Sequence, residues 1–228
     1  MKRFFILIGI LCAAIPFFSS CQKDIEIWDS ATLDYSGRYV IKIMNEDMSK
    51  TYMEYDNSEV YIYNTSANIA NEMWIDDTGQ NIPLKSKFKF IGTPASFKSA
   101  EMEFDKLTNN ILAIGAPSAK EAETPVKEGE SVTIERDYLR AVVIEGKIIP
   151  EAVTTKGGNK ADSLYLKLKF YSGTATFKSI RKPEKEWKDP NTPEFAWGEC
   201  ESVGYDETKD EVLIIGGHKY TGFSEDLY

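Results

Sequence analysis

Histidine and cysteine are scarce in this sequence. Its 228 residues include one histidine and three cysteines, which are too few for the usual zinc-ligand clusters or for a disulfide framework. No Gly-x-Ser-x-Gly turn and no glycine-rich phosphate loop is present. The sequence therefore predicts no metal site, no cofactor and no catalytic residue of a common type. A hydrolase that uses the single histidine or a pair of acids is an alternative function.

Basic residues are also few. Lysine and arginine together number 27 against 36 aspartates and glutamates, and the net charge is −9. Because binding to a phosphate backbone requires a basic surface, we expect no nucleic-acid partner. Hydrophobic residues at 42% and charged residues at 28% are typical of a globular domain.

The N terminus has the pattern of an export signal. Lys2 and Arg3 precede an uncharged apolar run, Phe4–Phe18, which is shorter than the about 20 residues that a membrane-spanning helix needs. Two serines then precede Cys21. Small residues before a cysteine are typical of a lipoprotein cleavage site, at which the thiol receives an acyl-glycerol anchor. An ordinary secretory signal with an incidental cysteine is the alternative.

The cleavage site divides the chain into three parts. Residues 1–20 are predicted to be a signal peptide that is removed, residues 21–33 a lipidated tether and residues 34–228 a single β-barrel domain. Lys23 precedes acidic residues, an order that resembles the export signal of lipoproteins that reach the outer leaflet. We expect an outer-membrane lipoprotein exposed at the cell surface, with the membrane as one partner through its lipid anchor and an outer-membrane protein as another.

The rest of the sequence has the periodicity of β-strands. Residues 164–171 give the clearest pattern, in which Leu164, Leu166, Leu168 and Phe170 are expected on the buried face. Similar patterns predict strands at 39–44, 60–63, 72–75, 87–90, 131–135, 212–215 and 139–149, the last with a turn near 145–147. Eight to ten strands indicate an all-β fold, either an antiparallel barrel or a sandwich.

Aromatic residues suggest a ligand. Twelve tyrosines, twelve phenylalanines and four tryptophans are present, and a barrel of about eight strands can hold one small molecule. A cavity lined by such rings would suit a lipid or another apolar compound. The rings would alternatively only fill the core. A packed interior would favour an accessory subunit of a surface nutrient-uptake assembly, which binds protein or glycan through exposed aromatics.

Two segments, 115–130 and 181–194, are rich in charge and proline and are predicted to be long loops, where binding residues are often found.

The candidate ligand-binding residues are Trp74, Asp76, Asp77, Trp187, His218 and Lys219. As an alternative to ligand binding, Asp76 and Asp77 could cap a turn, and a lone histidine such as His218 is more often structural than functional. Cys200, which lies between two glutamates, is expected to be an unreactive, buried strand residue.

Three parts of the chain resemble one known family. They are Tyr63–Asn68 running into Glu72–Asp77, Gly146–Ile149 followed by Thr154-Thr155 and Ala161-Asp162-Ser163, and Thr221–Asp226. In these segments the chain is similar to the lipid-binding putative hydrolase family of gut-bacterial (Bacteroides-type) lipoproteins. The resemblance implies an antiparallel β-barrel of calycin (lipocalin-like) type and a lipid ligand.

The chain departs from the family pattern in two respects. Family members often have two basic residues before the Thr-Gly-Phe motif, where this sequence has Lys219 and Tyr220. The loops at 115–130 and 181–194 are also longer than is typical. The word hydrolase in the family name has no counterpart among the residues identified above.

Overall fold

The computed structural model describes residues 29–55, 58–77, 81–82, 84–112 and 114–227. The predicted signal peptide and Cys21 lie outside these residues. The described strands are β1 (Gly37–Asn45), β2 (Thr51–Met53), β3 (Glu59–Asn64), β4 (Glu72–Asp76), β5 (Lys85–Thr93), β6 (Ser96–Ser99), β7 (Ser131–Thr154), β8 (Lys160–Arg181), β9 (Phe195–Tyr205) and β10 (Glu211–Lys219). No helix in these ranges has the length and apolar character needed to cross a membrane.

The strands pair in antiparallel fashion to form a ring. The order is β10-β1-β3-β4-β5-β6-β7-β8, and β8 pairs again with β10 to close it. Strand β2 adds to β1, and β9 pairs with β8 outside the ring. The ring is uneven, because β6 and β7 share one register pair, Phe97 with Gly146. The prediction of an all-β, antiparallel, barrel-like fold is confirmed.

Side-chain alternation places the core inside this ring. Tyr39 and Ile41 of β1 and Leu166, Leu168 and Phe170 of β8 have no solvent-accessible surface. Each fully buried aliphatic side chain of this kind contributes about 1.5–3 kcal/mol to stability. The predicted inward face of residues 164–171 is therefore confirmed.

The interior of the barrel is filled by its own side chains. A ligand-sized cavity would leave accessible surface on the residues that line it, whereas the buried residues of the central cluster are at most 7% exposed. The expectation of a lipid inside the barrel is therefore not supported by the geometry, because large side chains such as Tyr39 and Phe170 occupy that space.

Strands β7 and β8 form a hairpin that is longer than the barrel. Beyond the ring, residues 131–136 of β7 pair with 173–178 of β8, and 173–181 of β8 pair with β9. These three segments are called the extension sheet below. The predicted turn near 145–147 is wrong, because β7 continues through it.

A second apolar cluster supports the extension sheet. Phe104 and Leu107, from the segment between β6 and β7, pack with Val142 and Tyr171 on the outside of the barrel and with Phe177 of the extension sheet. The predicted loop 115–130 contains no strand or helix. The predicted loop 181–194 begins with the last residue of β8 and contains one 3₁₀ turn, Glu184–Glu186.

Candidate functional site

A cleft of about 770 Å³ lies outside the barrel, along β9. Its volume falls within the range of about 300–1,000 Å³ that is usual for small-molecule sites. In the described part of the chain β9 pairs only with β8, so its other edge is open to the cleft. We call this space the β9 cleft. It is lined by Asn110, Ile114, Gly115, Ala116, Arg140, Ile180 and residues 197–203.

The walls of the β9 cleft combine apolar side chains with polar ones. Ile114 and Val203 belong to or pack against the second apolar cluster, and Ile180 is 53% exposed. The indole of Trp197 packs against the same cluster, and its Nε1 donates a hydrogen bond to the Glu123 carbonyl at 3.1 Å. This bond ties the 115–130 loop to β9.

Arg140 is the cation of the β9 cleft. Its guanidinium carbon lies 4.5 Å from the centre of the Phe104 ring, and Nη1 donates to the Phe104 carbonyl. Its Nε is shielded from solvent and has no acceptor among the described residues. Burial lowers the pKa of Arg140, while the charge of Asp105 acts in the opposite direction. Arginine nevertheless stays protonated in proteins.

Cys200 forms part of the cleft wall. It lies on β9, as predicted, but is partly rather than fully buried. Its thiol donates to the Ser202 carbonyl at 3.3 Å. Burial raises the pKa of the Cys200 thiol, which keeps it protonated and unreactive. The flanking glutamates, which the sequence suggested as the cause, do not account for this shift.

Trp74, Asp76 and Asp77 lie together at β4. The Trp74 ring stacks on Tyr63 on the outer face, with centroids 6.5 Å apart. Asp76 accepts a hydrogen bond from the Tyr63 hydroxyl at 3.0 Å and forms an ion pair with Lys85 at 2.8 Å. The buried Asp77 carboxylate accepts from the backbone amide of Ile82 at 2.7 Å, which agrees with a turn-capping role.

Trp187 lies in the 181–194 loop. Its indole Nε1 donates to the Lys182 carbonyl at 2.9 Å, and the Arg181 guanidinium lies 4.6 Å from the ring centre. The ring therefore has a packing partner, although the surrounding sequence contains no apolar residue for it.

His218 and Lys219 are near the C terminus. His218 is 5% exposed, and its Nε2 lies 2.8 Å from the backbone carbonyl oxygen of Asp226. Lys219 Nζ lies 3.5 Å from the Asp162 carboxylate. His218 thus holds the C-terminal segment against β10.

The six predicted residues occupy three separate places, and none of them lines the β9 cleft. Their role in ligand binding stays a prediction. Sequence reasoning missed the cleft residues Ile114, Arg140 and Trp197. One signal for Arg140 was available, because it is a single charge next to the apolar run of residues 141–144. Within the described ranges, no three or more His, Cys, Asp or Glu side chains are grouped to hold a metal ion.

Comparison with known proteins gives one family. A family model described as "Lipid-binding putative hydrolase" matches residues 24–224. No curated protein sequence matches the chain. The match spans most of the sequence and all ten described strands, and the chain therefore belongs to the lipid-binding putative hydrolase family.

Proposed function

We propose that this protein is a lipoprotein of the outer membrane that binds a lipid or another apolar small molecule, without chemical turnover, in the β9 cleft. The observation that carries the proposal is the cleft itself, because it combines a ligand-sized volume, apolar side chains such as Ile180 and Trp197, and a single cation. Family membership supports a lipid as the ligand.

The location outside the barrel follows from packing. A ligand in the barrel interior would have to displace fully buried side chains such as Ile41 and Leu168. Overpacking a filled core costs about 1–3 kcal/mol for even a few extra methylenes. The β9 cleft needs no such displacement, and Trp197, Ile180 and Val203 offer apolar surface to an acyl chain.

The anchor completes the proposal. Acylation of Cys21 would hold the protein at the membrane, since buried methylenes contribute about 0.8 kcal/mol each. A calycin-type barrel and a gut-bacterial, Bacteroides-type origin are parts of the same proposal and rest on the sequence motifs.

Native mass spectrometry of the chain from residue 22 onward, which keeps all ten strands, tests the proposal. We expect a bound mass that organic extraction removes, and we expect Trp197→Ala to lose it. Trp187→Ala is the matched control, because Trp187 does not line the cleft. Loss of the mass in Trp187→Ala but not in Trp197→Ala would move the site to the 181–194 loop and contradict the proposal.

A second function is favoured by the outer face of the barrel. Tyr63 and Trp74 stack there with ring planes 20° apart, and Arg38 lies 4.1 Å from the ring centre of Tyr220 on the same side. With a packed interior, these rings would suit an accessory subunit that binds a glycan. Affinity electrophoresis through gels containing polysaccharides would show retardation that Trp74→Ala abolishes.

A further inference from the structure

We infer that Arg140 binds the head group of the ligand, and that the ligand is a single-chain lipid with an anionic head group, a carboxylate rather than a phosphate. This inference rests on the proposed function, because it assumes that a lipid occupies the β9 cleft. It adds the chemical class of the ligand and the residue that selects it.

Arg140 differs from the other described arginines in its partners. Arg38 pairs with Glu59, Arg136 with Glu121 and Arg181 with Glu184. Arg140 has no carboxylate within ion-pair distance among the residues that the structure describes, although the protein has more acids than bases. Asp105 attracts it only from a greater distance. The positive charge of Arg140 is thus available to a ligand.

The guanidinium of Arg140 is held in one orientation. Its face rests on the Phe104 ring, and Nη1 is bonded to the Phe104 carbonyl. Nε remains, shielded from solvent and without an acceptor in the described chain. Nη2 is neither bonded within the described chain nor shielded from solvent, so it is the nitrogen that an acceptor in the cleft can reach.

The accessible nitrogen of Arg140 suits an anion. Nη2 can donate to a carboxylate oxygen, and a charge-assisted hydrogen bond of this kind is stronger than one between neutral groups. The apolar residues Ile114, Trp197 and Val203 line the same cleft. A carboxylate at Arg140 with an acyl chain along these residues would pair the positive charge and cover the apolar side chains together.

Acidic residues on the rim distinguish between anions. Glu199 and Glu201 on β9 are exposed at the cleft, and Glu201 is paired with Lys178 at 3.7 Å. Their charges repel a doubly charged phosphate more strongly than a singly charged carboxylate. The site should therefore prefer a fatty acid over a lipid phosphate of the same chain length.

Calorimetric titration with three ligands of one chain length tests this inference. The ligands are dodecanoate, dodecanol and dodecyl phosphate, added to delipidated protein. We expect dodecanoate to bind at least about ten-fold more tightly than dodecanol, and more tightly than dodecyl phosphate. Arg140→Met should bring dodecanoate to the affinity of dodecanol, whereas Arg181→Met should leave the preference unchanged.

Arg140→Lys covers the case in which Arg140→Met does not fold. Lysine keeps the charge but lacks the planar guanidinium that rests on the Phe104 ring, so the preference for dodecanoate should fall but not vanish. A preference that survives intact in both variants would overturn the role of Arg140. Equal binding of dodecanoate and dodecanol to the unmodified protein would overturn the inference that the head group is anionic, but not the proposed function. Absence of binding by all three would overturn the proposed function as well.

Discussion

The side chain of Gly146 is only a hydrogen atom, and this allows the ring of strands to close between β6 and β7. A Cβ atom at this position would overlap the ring of Phe97 across the one β6–β7 register pair. The Phe97 ring has little room to move, because it is 3% exposed and packs at 5.3 Å from Tyr35 and at 6.1 Å from Phe90. The glycine that suggested a turn is therefore a close-contact residue within a strand.

The first prediction concerns Gly146→Ala. Overpacking against Phe97 should lower the free energy of unfolding by about 1–3 kcal/mol, measured by urea denaturation. Gly216→Ala on β10 is the matched control, because a Cβ there would lie 3.6 Å from Met44, an ordinary contact. We expect that control to stay within about 0.5 kcal/mol. An equal loss of stability in both variants would contradict the close contact between residue 146 and the Phe97 ring.

Asp226 is a buried carboxylate that organises the C-terminal segment. It accepts hydrogen bonds from the Gly157 amide at 2.9 Å, from Asn159 Nδ2 at 2.8 Å and from the Thr221 hydroxyl. Hydrogen bonds from Thr155, Thr221, Asn159 and Gly157 lower the pKa of Asp226 to about 2.

The second prediction concerns the pH dependence that Asp226 produces. Its folded pKa of about 2 is below the unfolded value of about 3.9. The stabilisation is therefore present above about pH 4 and is lost as the pH falls towards 2. Asp226→Asn should melt several degrees lower at pH 7, and the difference should shrink between pH 4 and pH 2. A difference that is constant with pH would contradict this assignment.

At the scale of elements, the β7–β8 hairpin decides where the site lies. One half of the hairpin is part of the barrel, and the other half is part of the extension sheet. The change occurs near Gly173, where φ is +153° and a Cβ would overlap the Gly204 carbonyl. The hairpin thus places β9 outside the barrel, and the cleft lies along the free edge of β9.

The third prediction concerns the bond between β9 and the 115–130 loop. Trp197→Phe keeps an aromatic ring but removes the donor to the Glu123 carbonyl. A net loss of about 0.5–1.5 kcal/mol should make amide hydrogen exchange in residues 118–124 several-fold faster. The β1 amides serve as an internal reference and should not change. Unchanged exchange in the loop would mean that the bond does not hold it.

Local sequence patterns predicted most of the strands, and they failed where a strand is short or its pairing is irregular. The inward face of residues 164–171 follows from alternation, which sequence shows directly. Strands β2 and β6 are short, and the full lengths of β7 and β8 are hidden by register shifts at 136–140 and 149–153. A cleft formed by an unpaired strand edge depends on long-range pairing, which no single segment encodes.

At the scale of the whole molecule, the barrel acts as a scaffold and the proposed ligand site lies outside it. The aromatic residues that suggested a cavity are divided between a packed interior, the second apolar cluster and the outer face. The second cluster supports the extension sheet, and the extension sheet carries the β9 cleft. The proposed lipid site is thus on an added sheet rather than within the ring of strands.

The most direct test is photo-crosslinking with a fatty acid that carries a diazirine in its acyl chain, followed by peptide mapping. Binding in the β9 cleft predicts labels on residues 114–116 and 197–203, and excess dodecanoate should compete with them. Labels that instead map to the inward face of β1 and β8, such as Ile41 and Leu168, would place the lipid inside the barrel and contradict the central claim.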